Sequence, residues 1–385
     1  MTVVLDAAQE EFRTQVCALL CEESAREAVA ECRRLPAGEE PGLMDLHRRL
    51  GERGWLAPNW SRRHGGIDAT AVEKAIVSEE LIRHGVPDNV HTLGVDIVGL
   101  AVHRHGTEAQ KDRLLPPLAR GEATASVLFS EPDAGSDLGA LQTRAEPDGD
   151  GWRLRGRKWY SMKSHIADIA LCAARTSDSS AQYHGITLFL VPLQSLGVMM
   201  RPMWNLTDER FLDVVLDGIR VSRDDVLGEV DDGWQVINQV LALERTGVDS
   251  AARAARLLDA VLRHAAKTGQ LEDPAYAQRL LDLDARVRAS QLLAWRCVAN
   301  LRDGVPNQVH SAIAKWHSTE VFKELAALAI EVSGLPGTLD ARDEAALADG
   351  IFESACRDAP GLTLAAGTSE IMLYVIAGSG LGLLS

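Results

Sequence analysis

Three stretches carry residues whose types and spacing suit chemistry. The first is Val127-Leu128-Phe129-Ser130-Glu131-Pro132-Asp133-Ala134-Gly135-Ser136-Asp137, an apolar run that stops at a proline and continues in small residues. Pro132 has no N–H and Gly135 permits a positive φ, so the chain must turn there. Such a turn leaves backbone N–H groups open to close approach by a planar or anionic ligand. The second stretch runs from Trp152 to Asp168 and is aromatic: Trp152, Trp159 and Tyr160. It reads as strand, with a flat surface to offer a ring. The third is Glu244-Arg245. On a helix from Trp234, Ile237, Val240, Leu241, Val248 and Ala251 form one apolar stripe, and Glu244 falls on it. A buried carboxylate costs free energy unless it is paired or has a catalytic role. The residues alone leave two roles open, a salt bridge with a neighbour such as Arg245 or a base in a dry pocket.

These stretches need elements to hold them. Asp6 with Gln9 marks a helix start, and Phe12, Val16, Leu19 and Leu20 keep a helical period. Further helical patterns cover Leu43–Gly54, Ala71–His84, Val90–His105 and Ala109–Leu118, with Pro116-Pro117 closing the region. The period then shortens to that of strands: Ser126–Ser130, Trp152–Tyr160, Ile169–Arg175, Ile186–Val191, Val198–Met203 and Phe211–Ile219. Helical spacing returns in Trp234–Thr268, Pro274–Asp303, Pro306–Ser333 and a segment from Ala341. The expected fold is α+β and multidomain. It has an N-terminal helical domain (1–118), a central antiparallel β-domain (119–229) and a C-terminal four-helix bundle (230–385).

Composition narrows the function. The 385 residues carry a formal charge of −15, which argues against nucleic acid and anionic membrane surfaces as partners. No apolar run approaches the roughly 18 residues of a membrane span, so no membrane insertion is expected. Met1–Arg13 has no basic region followed by an apolar core, so a cytoplasmic location is expected. The six cysteines match no metal or disulfide framework, and Cys17 and Cys21, one helical turn apart, read as small core residues. His165 beside Asp168 reads as structural. Gly378-Ser379-Gly380-Leu381-Gly382 reads as a flexible terminus and not a phosphate loop.

The turn Ser130–Asp137 and the strand Gly156–Asp168 resemble the acyl-CoA dehydrogenase family, with its Ser/Thr-Glu-Pro-x-Ala-Gly-Ser-Asp turn and Gly-x-Lys-x-Trp strand. Glu244-Arg245 and Gly367-Thr368-Ser369-Glu370-Ile371 follow in the family's order, so the resemblance covers nearly the whole chain. It implies FAD-dependent α,β-dehydrogenation of an acyl thioester. Relatives place the catalytic base either directly before Gly-Thr or on a helix directly before an Arg. The first position is Ala366, which accepts no proton, so the resemblance implies Glu244 as the base. Such a base works best where a dry pocket raises its pKa toward neutrality. The flavin ribityl chain and the backbone N–H at Ala366 would then stabilise the enolate, and flavin N5 would take the β-hydride. Phe129, Ser130, Gly135, Ser136, Tyr160, Met162, Thr368 and Glu370 match cofactor-contacting positions. Ser136, Arg245 and Ala366 match substrate-contacting ones. No metal is implied.

The chain also departs from the family. Tyr160 stands for the flavin-stacking Trp, with Trp159 one residue early and expected on the other strand face. Met162 stands for a hydroxyl that bonds flavin N5. The Arg-x-x-Phe-Gly stretch by which a neighbouring subunit grips the cofactor is replaced by residues 265–274, and Gln-x-x-Gly-Gly-x-Gly by 330–337. In these losses the chain is similar to relatives that act on steroid side chains or in polyketide pathways, some built from unlike subunits. The implied partners are an acyl-CoA or acyl-carrier-protein thioester, an electron-transfer flavoprotein or similar acceptor, and further subunits, like or unlike. Arg33-Arg34, Arg62-Arg63 and Arg153-Arg155-Arg157-Lys158 are the candidate patches for an acidic carrier protein. A flavin-poor, non-catalytic partner subunit is the third reading.

Overall fold

The computed structural model describes residues 5–35, 41–177, 183–207 and 209–383. Helices α1 (Ala7–Leu20), α2 (Glu23–Cys32), α3 (Pro41–Glu52), α4 (Ala71–Arg83), α5 (Asn89–His91), α6 (Leu100–His105) and α7 (Glu108–Ala119) come first. A wide π-helical stretch, Thr92–Gly99, joins α5 to α6. Asp6 caps α1 as its sequence suggests, its side chain accepting from Gln9 N at 2.9 Å. Pro116 and Pro117 lie inside α7 and do not end it. They sit in the last turn, each lacking an N–H to donate, and the helix stops two residues after Pro117, at Ala119.

The strands are β1 (Ala125–Leu128), β2 (Arg144–Asp148), β3 (Gly151–Met162), β4 (Ile169–Arg175), β5 (Ile186–Pro192), β6 (Val198–Met203), β7 (Phe211–Val221) and β8 (Val226–Leu227). They form one sheet in the order β6-β7-β3-β2-β4-β5-β8, with β1 also on β4. Most pairings are antiparallel. β1 and β2, however, each run parallel to β4, with Ala125 opposite Ile169 and Arg144 opposite Arg175. Parallel neighbours are distant in sequence, so local alternation carries no sign of them.

The chain ends in α8 (Gly233–Glu244), α9 (Val248–Thr268), α10 (Pro274–Arg302), α11 (Gln308–Ser333), α12 (Ile351–Leu362) and α13 (Ser369–Val375). α9 to α12 share the bundle core of Leu257, Val261, Leu283, Val287, Leu325 and Phe352. α8 belongs elsewhere. Its Val236, Ile237 and Val240 belong to one buried cluster with Leu50, Trp60 and Val98 of the N-terminal region and Leu171, Leu188 and Leu190 of the sheet.

The single helix expected from Trp234 to Thr268 is therefore two. Gly247 turns the chain at φ +78°, and Glu244 is the last residue of α8. Two further sequence readings change. Cys17 is half-buried and Cys21 exposed, so neither is core. Ile376–Gly380 is a π-helical turn following α13 and not a loose tail. No helix among the described residues is long and apolar enough to cross a membrane.

Candidate active site

The site residues fall into two groups, one on the sheet and one at helix ends. On the sheet, the chain leaving β1 is held against β3 by the backbone and by one buried ion pair. Trp159 N donates to Ser130 O at 2.9 Å, and Lys158 Nζ donates to Phe129 O at 3.1 Å. Lys158 is fully buried and lies 2.8 Å from Glu131 Oε1. Glu131 also accepts from Gln142 N at 2.6 Å and Thr143 N at 2.9 Å. Burial pushes the Glu131 carboxyl up, but Lys158 and these donors outweigh it and hold the group below its ordinary range. The pair thus pins the turn to the strand.

Glu131 and Ala134 close the turn with reciprocal backbone bonds of 2.8 and 3.2 Å. Gly135 does not use a positive φ, contrary to the sequence reading. A Cβ there would meet no protein atom within 4 Å. Beside it Ser136 is exposed. Space and a free hydroxyl, not backbone strain, are what this end of the turn offers.

The expected alternation of β3 is broken. A bulge between Lys158 and Ser161 sets three steps of β3 against two of β7. It puts Tyr160 at φ +57° with 57 % of its surface exposed. The ring stands edge-on to Trp159 and Phe211, with centroids 5.9 and 6.2 Å away. Met162 is half-buried. Ser161 turns inward, where its Oγ donates to Val127 O at 3.0 Å and meets Ser164 Oγ at 2.5 Å.

At the helix ends, Arg245, next in the chain to Glu244, meets the Ala366-Gly367 turn. The Arg245 guanidinium lies 3.5 Å from where a Gly367 Cβ would stand. Ala366 is exposed and takes φ +53°, a region that costs a non-glycine residue about 1–3 kcal/mol and tends to mark functional positions. Lys315 of α11, also buried, holds the turn by donating to Gly367 O at 2.6 Å. Burial, and then the charge of Arg245, lower the Lys315 pKa to about 8. Thr368 Oγ1 accepts from Ile371 N at 3.2 Å, and Glu370 is exposed.

Glu244 Oε2 is buried and has no hydrogen-bond partner among the described residues. Arg245 Nε is equally unsatisfied, and no ion pair joins the two. The simple salt bridge is therefore not made. Burial, reinforced by Asp249 and only partly opposed by Arg245, raises the Glu244 pKa to about 7. Asp96 of the π-helical stretch and Lys74 of α4, themselves 2.9 Å apart, also bear on it. A carboxylate whose pKa stands near 7, with one oxygen buried and unpaired among the described residues, has the proton affinity a general base needs.

The sheet group suits a flavin. It offers an exposed aromatic ring at Tyr160, open space at Gly135 and a free hydroxyl at Ser136. Sequence reasoning missed three supporting residues. Glu131 and Lys158 lie inside the quoted motifs, and a lone lysine amid strand residues was their only signal. Lys315 had none, because only tertiary packing brings α11 to the turn. Lys315→Met is expected to slow substrate-driven flavin reduction about tenfold, since a hydrogen bond from a charged donor is worth roughly 1.5–3 kcal/mol. Stopped-flow reduction with flavin content matched checks this, and an unchanged rate would remove Lys315 from the site.

Most of the candidate carrier-protein patches are ion-paired. Arg153, Arg155 and Arg157 pair with Asp148, Asp217 and Asp213, Arg33 with Asp349, Arg62 with Asp68 and Arg63 with Asp112, while Lys158 is inside.

The chain matches the family models for the acyl-CoA dehydrogenase N-terminal domain over residues 6–122, the middle domain over 126–217 and the C-terminal domain over 231–381. It is 31 % identical to acyl-CoA dehydrogenase IpdE1 of Mycobacterium tuberculosis over 97 % of each chain. It is 30 % identical to FadE29 of the same organism, over 89 % of this chain and 88 % of that one. Among solved structures it superposes on the Tcur3481-Tcur3483 steroid ACAD with a TM-score of 0.91 at 26 % identity, covering all of both chains. The ChsE4-ChsE5 complex of Mycobacterium tuberculosis matches with a TM-score of 0.88 at 27 % identity, again over both chains in full.

Proposed function

The chain belongs to the acyl-CoA dehydrogenase family, whose members are FAD-dependent oxidoreductases acting on CH–CH groups, and from that premise we propose that Glu244 takes the α-proton of an acyl-CoA thioester. The observation that carries this reading is the buried Glu244 Oε2, without a hydrogen-bond partner among the described residues and next in the chain to Arg245, whose guanidinium reaches Gly367. FAD, when bound, supplies the acceptor for the β-hydride. Phe129, Ser130, Gly135, Ser136, Tyr160 and Met162 would hold it from the sheet, and Thr368 and Glu370 from α13. Ser136, Arg245 and Ala366 would face the thioester. The Ala366 N–H has no backbone acceptor among the described residues and is the donor for the thioester oxygen. Lys315 holds that donor in place. Burial raises the Glu244 pKa to about 7, which keeps the base reactive near neutral pH.

Coenzyme A is favoured over a carrier protein because most arginines of the three candidate patches already stand in ion pairs. The structural neighbours named as pairs of chains support an assembly of unlike subunits, with a bulky substrate such as a steroid thioester.

The pH profile tests the base. The ionised form is the active one, so flavin reduction at low substrate should rise with pH and level off above about 7. Below that it should fall about tenfold per unit. A profile flat from pH 5 to 8 would rule out a base of this pKa.

Two observations favour the non-catalytic reading. Met162 offers no hydroxyl, and residues 265–274 are the last turn of α9, the left-handed Gly269, a 3-10 turn at Gln270–Glu272 and the first residue of α10. The absorption spectrum decides. Flavin that a thioester bleaches supports catalysis, and no flavin after reconstitution with FAD supports the partner role.

A further inference from the structure

Far from the flavin residues, α1 and α4 bring four metal-ligating side chains together. Cys17 and Cys21 are four apart at the end of α1, and Glu80 and His84 are four apart at the end of α4, so each pair shares one helix face. Cys17 Sγ lies 3.2 Å from Glu80 Oε2, and Cys21 Sγ lies 3.6 Å from His84 Nε2. One ligand atom each from Cys17, Glu80 and His84 lie within 4.8 Å of one another, and Cys21 adjoins this group through His84. We propose that Cys17, Cys21, Glu80 and His84 bind a zinc-class divalent cation that clamps α1 to α4.

Three features support this beyond proximity. With zinc–sulfur bonds of about 2.3 Å and zinc–nitrogen bonds of about 2.0–2.1 Å, a tetrahedral site sets sulfur and nitrogen roughly 3.6 Å apart. That is the spacing seen between Cys21 and His84. Second, His84 Nδ1 lies 2.8 Å from the Glu80 carbonyl oxygen. An N–H there donates to the backbone and leaves the Nε2 lone pair facing Cys21, the arrangement usual for a metal-bound imidazole. Third, the charges close. Two thiolates, one carboxylate and a divalent cation leave one negative charge, and the Arg13 guanidinium stands 3.3 Å from Glu80 Oε1. Glu80 is buried, His84 half-buried and Cys21 exposed, so the site has both a floor and an entrance. Soft thiolates beside an imidazole favour zinc over magnesium or calcium. Binding would release the thiol protons to solvent, with no change in oxidation state.

The test uses the FAD-loaded protein, stripped with chelator under reducing conditions and titrated with zinc or cobalt ions alone. One equivalent of zinc should bind, and cobalt should give thiolate charge-transfer and tetrahedral ligand-field bands. Cys17→Ser with Cys21→Ser should abolish both. His84→Ala should weaken binding at least tenfold. Flavin content and reduction rate should stay unchanged, because none of these residues lies in the active site. Zinc should also raise the unfolding midpoint of the native chain but not of the double variant. The proposal is overturned if less than one equivalent binds, or if the double variant binds as well as the native chain. It is equally overturned if mass spectrometry of the unreduced protein shows Cys17 and Cys21 joined as a disulfide.

Discussion

Glu244→Gln should slow single-turnover flavin reduction by about two to four orders of magnitude, the usual worth of a general base. Glutamine keeps the volume and one acceptor oxygen but has no basicity. The fold and the flavin spectrum should be nearly unchanged, because Glu244 makes no ion pair that the substitution would break. That separates this variant from one that only destabilises. The pH dependence should also vanish, since the group that titrates near 7 is gone. Adding Ala366→Glu to Glu244→Gly moves a carboxylate to the family's other position, and part of the rate should return. Ala366 is exposed, at φ +53°, and precedes Gly367, which lies beside Arg245, so the turn has surface room for a longer side chain. The decisive measurement is the reduction rate of the Gln variant with a good thioester. A rate within about threefold of wild type, under ~1 kcal/mol of barrier, would return Glu244 to a structural role.

Lys158→Met should destabilise the flavin-binding sheet by about 3–5 kcal/mol. The Lys158 ammonium is fully enclosed, and its partner Glu131 is nearly so. Removing the cation leaves a carboxylate in a dry interior with only two backbone donors, and frees the carbonyl of Phe129. The midpoint of heat-induced FAD release should drop by roughly 5 °C or more. Lys158→Met with Glu131→Gln should recover most of the loss. Glutamine can still accept from Gln142 and Thr143, and no charge remains buried. This recovery distinguishes an uncompensated charge from simple loss of packing. If single and double variants release FAD at the same temperature as wild type, the pair does not hold the turn.

Local patterns determined the order of elements and the chemistry on offer. The proline-glycine turn at 131–137, the aromatic strand after it and the capping box at Asp6 are all set by residues within a few positions of one another. Helix, sheet, helix follows from a change of hydrophobic period, visible without any partner. So does the family, because its motifs are short and contiguous. Whatever depends on distant partners was decided by tertiary structure. The apolar stripe through Glu244 implied one helix, yet Gly247 breaks it beside Ala314. Glu244 Oε2 is enclosed by elements far away in sequence, which bring Asp249, Asp96 and Lys74 within electrostatic reach. The bulge at Trp159-Tyr160 depends on the register with β7, more than fifty residues on. Cys17 and Cys21 read as core because their helix looked self-contained, and only the packing of α4 gives them Glu80 and His84 for neighbours. Periodicity is a property of one segment, whereas proton affinity and ligand geometry depend on which other segments exclude water from a side chain, and the folded chain alone fixes those.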